Sequence, residues 1–192
     1  MANVAKYDKE RVIRQAMLLF WKQGFHATST RELQKVVNLR PGSFYAAFGS
    51  KEALFREVIN QYYRDSRALL HEIVAEQNSV LLGLREFVKK VVLDRRASAP
   101  SDLCLLVKTI TELTDQHAEL LAESRLLLKQ MEAEFCLLFE QAINQGELSN
   151  EAPPKLLARS LMAQIMGLRS YLRGCNQPEM VEDMVDDLFV RF

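Results

Sequence analysis

Apolar residues recur along this chain at intervals of three and four, and short polar or glycine-containing gaps interrupt them. That spacing predicts helices from near residue 8 almost to the end. The first starts at Asp8, a good N-cap, sets Val12, Ala16 and Leu19 on one face with Ile13 and Phe20 beside them, and closes at Gly24. Ser29-Thr30-Arg31-Glu32 reads as a capping box opening a short helix with Leu33, Val36 and Val37 inward. Asn38-Leu39 is a turn. Pro41 suits the first position of a third helix, which buries Phe44 and Phe48 one turn apart. Gly49-Ser50 breaks the pattern again, and Ser50 caps a long fourth helix running to about Gln77.

Beyond Asn78 the period stays helical. Segments are expected at about 80–97, 102–114, 116–144 (ending at Gly146), 154–174 after Pro153-Pro154, and from Pro178 to about Arg191. Ala97–Ser101 and Glu147–Pro153 are the clearest loops. No segment alternates like a strand, and seven Gly and five Pro in 192 residues are too few for a turn-rich β fold. The fold class is therefore all-α.

Composition narrows the function. The longest apolar run is six residues, Ala16–Trp21, whereas a membrane span needs about 20. No basic start precedes an apolar signal core, so the expected setting is cytoplasmic, with no membrane partner. Cys104, Cys136 and Cys175 are too few and too scattered for a disulfide framework or a zinc site, and neither metal nor cofactor is expected. The formal net charge of zero conceals an imbalance. Residues 1–51 hold nine Lys or Arg against three acids, and the other 141 hold 16 basic against 22 acidic groups. A head of charge +6 on a body of −6 fits a polyanion-binding module attached to one that avoids polyanions, although a solvated basic face would give the same count.

The two short helices, about 29–37 and 41–48, joined by a tight turn and buttressed by the first, have the layout of a helix-turn-helix. Arg40 and Lys51 flank the second as cations, while Pro41, Gly42 and Ser43 form a low-profile first turn whose amides can approach phosphate or base edges. Tyr45 offers a phenol to the nucleic-acid backbone, and Ala46 and Ala47 permit close approach.

The run ATSTRELQKVVNLRPGSFYAAFGSKEALF, residues 27–55, resembles the DNA-binding domain of the TetR/AcrR family of bacterial transcriptional regulators. Gly42-Ser43-Phe44-Tyr45 followed by Phe48-Gly49-Ser50-Lys51-Glu52-Ala53-Leu54 is its most specific part, and the likeness extends over about residues 8–60. The resemblance implies a three-helix DNA-binding domain at 1–50 (motif about 29–48), joined by a long helix to a helical effector-binding and dimerisation domain at 51–192, about nine helices in all. It assigns DNA contacts to Thr30, Arg31, Arg40, Pro41, Gly42, Ser43, Tyr45 and Lys51. Tyr45, Ser43, Lys51 and the helix-end amides would hold phosphate, while Arg31, Arg40 and Ala47 would read bases. Arg40 stands where a small polar residue is common in the family, and Ala46 and Ala47 replace larger side chains of many members, which leaves the operator sequence open.

Two half-sites about 34–36 Å apart require two heads, hence a symmetric homodimer on palindromic double-stranded operator DNA. The apolar stripes Leu157, Leu161, Gln164, Ile165, Leu168 and Leu172, and Val181, Met184, Val185 and Leu188 with Phe189, are the expected interface, unless they only pack inside one chain. The resemblance also implies an apolar small-molecule effector in the body, with Phe87, Met131, Phe135, Met162 and Met166 as candidate liners, and repression as the family's common mode. Cys104, expected in the first turn of a helix with Lys108 one turn on, is a candidate redox- or electrophile-sensing thiol and an alternative trigger. His26, His71 and His117 lack ligand or nucleophile spacing, and Asp183, Asp186 and Asp187 read as a solvent face, so no enzyme site is expected. A helical protein whose basic head binds RNA or protein is the remaining alternative.

Overall fold

The computed structural model describes residues 8–94, 100, 101, 103–149, 151 and 153–190. Among these there are nine α-helices and no strand. They are α1 (Lys9–Gln23), α2 (Thr30–Val36), α3 (Pro41–Phe48), α4 (Lys51–Ala75), α5 (Val80–Lys89, continued by a π turn over Lys90–Asp94), α6 (Leu105–Glu112), α7 (Ala118–Asn144, preceded by a 3-10 turn, Asp115–His117), α8 (Pro154–Cys175) and α9 (Pro178–Val190). Residues 95–99 and 102, where a helix end, a loop and a helix start were expected, lie outside the described residues.

Local signals set the first four boundaries. The Asp8 side chain accepts from the Arg11 amide, and Gly24 closes α1 at φ 92°, a conformation that side-chain-bearing residues rarely adopt. Ser29 and Glu32 form the reciprocal capping box, and Ser50 accepts from the Ala53 amide. Asn38, at φ 53°, makes the sharp turn between α2 and α3. Two expectations about α2 and α4 change. Val36 lies exposed on the outer face of α2, leaving Leu33 and Val37 to anchor it, and α4 stops at Ala75.

Two apolar clusters support the molecule. One gathers α1, α2, α3, the first half of α4, α6 and the start of α7 around Phe20, Phe25, Phe44 and Phe55, each at most 1% exposed. The Phe20 and Phe55 rings meet edge-on at 4.7 Å, and Phe25 packs on both. Such pairs contribute about 0.5–1.5 kcal/mol each beyond burial. The other cluster joins α5, the second half of α4 and most of α7, α8 and α9 around Phe87, Phe135 and Phe139. The core of the first three helices therefore runs on into α4, α6 and α7, and packing is continuous across residue 50. Helix α4 runs beside α7 in the same direction, tied by Arg56 to Glu119 and Glu123, and by Arg67 and His71 to Glu134.

Glu147 has a role that sequence reasoning did not assign. From the loop after α7 it accepts from the amides of Val80 (2.8 Å) and Leu81 (2.9 Å) and from the Ser79 hydroxyl (2.8 Å), capping α5 from a distance. Burial pushes its pKa up, but these donors outweigh burial and hold it below the ordinary glutamate value.

Candidate nucleic-acid interface

Helix α3 buries one side and leaves the other bare. Phe44 (0% exposed) and Phe48 (6%) lock it to the core, and every remaining position but the half-buried Ala47 is exposed. Arg40 is its N-cap residue, but no side chain caps the helix, so the amides of the first turn are open to an anion. An added Cβ at Gly42 would meet nothing within 4 Å, so nothing inside the chain demands glycine there. Tyr45 is half exposed, and its ring stands edge-on to Phe44 at 5.5 Å, which fixes where its phenol points. Arg31 on α2 and Arg40 are exposed, and among the described residues neither has an ion-pair partner. Thr30 is half-buried at the start of α2, and Ser43 is exposed. The structure thus brings Thr30, Arg31, Arg40, Pro41, Gly42, Ser43, Tyr45 and Ala47 onto two consecutive short helices, with two unpaired guanidinium groups among them.

Lys51 is placed differently from the phosphate-holding role expected of it. Its ammonium donates to the carbonyls of Phe25 (2.8 Å) and Thr28 (3.0 Å) and lies 4.1 Å from the centre of the Phe25 ring. Burial lowers its pKa against the opposing pull of Glu52 and Glu112. It fastens the turn between α1 and α2 to the start of α4, so it positions α2 and α3. The Thr28 hydroxyl finishes the same turn by donating to Gly24 at 2.6 Å.

Helix α6 holds this turn from the other side. The Glu112 carboxylate accepts from the amides of Phe25 (2.9 Å) and His26 (2.6 Å), and the Lys108 ammonium donates to the carbonyls of Trp21 (2.8 Å) and Lys22 (2.9 Å). The end of α1 thus has its free carbonyls met by a cation, while the amides just beyond it are met by an anion. A Cβ at position 24 would push the Glu112 carboxylate off these two amides, and φ there is +92°, so a substitution costs the contact as well as backbone strain. The Trp21 indole donates to Leu103 at 2.7 Å, just before α6. His117, just before α7, packs its ring against Phe25 (4.8 Å) and His26 (5.3 Å). No local sequence pattern marks Glu112 or Lys108 for these partners, which lie more than 80 residues away.

The other end of α6 touches a small apolar cavity of about 60 Å³. Phe87, Met131, Phe135 and Met162 line it with Tyr62, Tyr63, Leu106 and Cys104, so four of the five expected liners converge, and Met166 is not among them. Cys104 is the N-cap of α6 rather than part of its first turn, and its Sγ accepts from the Val107 amide at 3.3 Å. Lys108, expected beside the thiol, is turned to the end of α1.

The expected interface stripes need correction. Leu161, Ile165, Leu168, Leu172, Val181 and Val185 are buried in the second core of their own chain, because α8 folds back on α7 and α9 closes over α5. Leu157 and Leu188 are half-buried against that core, while Gln164 and Met184 are exposed. The outward face of α8 carries Leu156, Gln164, Gly167 and Tyr171 instead. Asp186, expected in solvent, pairs with Lys89 at 2.9 Å.

Comparison with known proteins agrees with this arrangement. The family described as bacterial regulatory proteins, tetR family, matches residues 12–58, and the tetracyclin repressor-like C-terminal domain matches residues 83–187. The chain is 27% identical over 150 residues to the HTH-type transcriptional repressor ComR of Escherichia coli, covering 77% of this chain and 69% of ComR. It is 24% identical over 187 residues to the regulator YezE of Bacillus subtilis, covering 97% and 96%. Its fold superposes on the TetR family regulator CifR bound to 26-bp operator DNA, with a TM-score of 0.84 at 23% identity and 98% coverage of both chains. It also superposes on reduced NemR of E. coli, with a TM-score of 0.82 at 19% identity and coverage of 94% and 95%. With both family domains matched in order and the bare face of α3 inside the first of them, this chain belongs to the TetR family of DNA-binding transcriptional regulators.

Proposed function

We propose that the protein is a repressor that binds palindromic operator DNA as a homodimer and releases it when a small apolar effector enters the body. The observation that carries this reading is the pairing, in one molecule, of an unsatisfied α3 face with an α6 that touches both the cavity and the root of α1. Arg31 and Arg40 read base edges, and Tyr45, Ser43 and the α3 amides hold phosphate. Two copies meet through the outward faces of α8 and α9, with Leu156, Gln164, Gly167, Tyr171 and Met184 at the seam. Ligand pockets run to about 300–1,000 Å³, so an effector must enlarge the cavity and displace α6. Glu112 and Lys108 carry that displacement to the α1–α2 turn, which reorients the heads. Such coupling is typically worth about 1–3 kcal/mol, a factor of about 5–150 in operator affinity.

The test is to map the operator by footprinting and titrate bound complexes with apolar compounds. Release by a compound that binds the wild type and fails to release a Glu112→Ala variant supports the reading, and a protein indifferent to every ligand it binds refutes it.

A second reading uses the same α6 and is favoured by the position of Cys104 at once on the cavity wall and at the helix N-cap. A covalent adduct on Sγ removes the acceptor for Val107 and loosens the first turn. Thiol labelling that spares Cys104 refutes it.

A further inference from the structure

A second concavity lies outside the first, and one residue belongs to both. Tyr63 lines the inner apolar cavity and also an open groove of about 430 Å³ formed with Arg64, Arg67, Ala68 and His71 on the outer side of α4. Tyr63 packs against both apolar clusters and is half-buried, so its ring stands between the inner cavity and the polar groove outside it. Residues 63, 67 and 71 stand on one row of α4, facing Glu134 of α7.

The groove has a charge arrangement of its own. Arg67 uses Nε on Glu134 at 2.7 Å, and among the described residues its two Nη groups have no partner. His71 donates to or accepts from the other Glu134 oxygen at 2.8 Å. Arg64 rests on Gln61, and Asp65, the other nearby acid, already accepts from the Gln61 amide at 2.7 Å. Glu134 thus answers one guanidinium and holds it still, while the open fork of Arg67 and the charge of Arg64 remain. A fixed guanidinium with two free parallel donors is the preferred partner of a carboxylate.

We infer that the effector is an amphipathic carboxylate. Its head is held by the Nη fork of Arg67 in the outer groove, and its apolar tail passes Tyr63 into the cavity lined by Phe87, Met131 and Phe135. The inference rests on the effector reading for its role but not for its chemistry. It also lets a molecule larger than a cavity of about 60 Å³ be held, with its head outside in the groove and only its tail pressing on the cavity wall that α6 shares.

The experiment is calorimetric titration of the intact protein with decanoate, decanol and decylamine below their micellar concentrations, followed by operator binding in the presence of each. Decanoate should bind about tenfold or more tightly than decanol, as expected for a charge-assisted hydrogen bond. Arg67→Gln should remove that preference, Arg67→Lys should keep part of it, and Tyr63→Ala should speed the entry of all three. Both substitutions at position 67 lie on an exposed side chain, and circular dichroism should report unchanged helix content. Equal affinities for the three compounds, tightest binding of decylamine through Glu134, or a decanoate preference that survives Arg67→Gln would overturn the inference. Arg67-dependent decanoate binding that leaves operator binding untouched would uphold the carboxylate site and count against the effector reading. Operator release by decanol as readily as by decanoate would do the reverse.

Discussion

Helices α3 and α6 are each eight residues long, both are anchored by buried apolar side chains, and they use their polar groups in opposite ways. In α3 the N-terminus is uncapped by any side chain, Gly42 leaves open space, and Tyr45 and Arg40 point outward without an acidic partner among the described residues. In α6 a sulfur caps the first turn, and both Glu112 and Lys108 close on backbone groups of α1 and the turn beyond it. Unsatisfied polar groups near a surface cost little in water and become valuable when a partner arrives, whereas satisfied ones resist movement. The first helix is built for an external partner and the second for an internal one.

The largest effect that separates them is at Gly42. Gly42→Leu replaces a poor helix former at a position with nothing within 4 Å, so thermal stability should hold or rise slightly. Operator affinity should fall more than about 100-fold, since the new side chain enters the space a groove edge must occupy and breaks several base contacts worth about 1–3 kcal/mol each. A stable variant that still binds would mean α3 does not enter the groove. Arg40→Ala comes next, with a loss of about 10–100-fold that is greatest for one base position, read by competition among single-base variants of the operator.

At α6 the order of effects reverses. Glu112→Ala removes the acceptor of two amides and strands the part-buried one of Phe25, a loss of about 1–3 kcal/mol, which for a chain of this size lowers Tm by about 2–12 °C. Operator affinity should fall less than for Gly42→Leu, because the recognition face itself is intact. Lys51→Ala distinguishes two uses of one ammonium. Its bonds to the Phe25 and Thr28 carbonyls predict a lower Tm, equal weakening on all duplexes, and an unchanged salt slope of binding. A slope reduced by about 1 would put the charge on a phosphate instead. The smallest effect is remote from both helices. The pKa of Glu147 is held below its unfolded value, so its contribution is present above the unfolded pKa and disappears as pH falls through the folded one. Glu147→Gln should therefore lower Tm at neutral pH by a few degrees and flatten the acid limb of the Tm–pH curve.

Legibility in the sequence followed the range of each interaction. The Asp8 and Ser50 caps, the Ser29–Glu32 box, the Gly24 stop and the Phe44–Phe48 anchor each lie within a few residues, and the chain shows them directly. Which face of an amphipathic helix meets which neighbour is not local. Leu161 and Val181 therefore read as an interface stripe although they fill their own chain's core, and Val36 read as buried although it faces out. Long-range bonds to the backbone were the least visible, since Lys108 reaches carbonyls 86 and 87 residues away, and backbone acceptors leave no signature in a side-chain pattern. The cavity was partly legible because Phe87, Met131, Phe135 and Met162 are large, adaptable and correctly phased, but Tyr63 and its groove depend on packing between α4 and α7.

The central claim is that α3 reads base edges twice per assembly. Selection of bound sequences from a randomised duplex pool tests it most directly, run in parallel with the wild type and the Gly42→Leu variant. The account predicts enrichment of a two-fold symmetric site by the wild type and none by the variant. Failure of the wild type to enrich any sequence, or the same enrichment by both proteins, would contradict it.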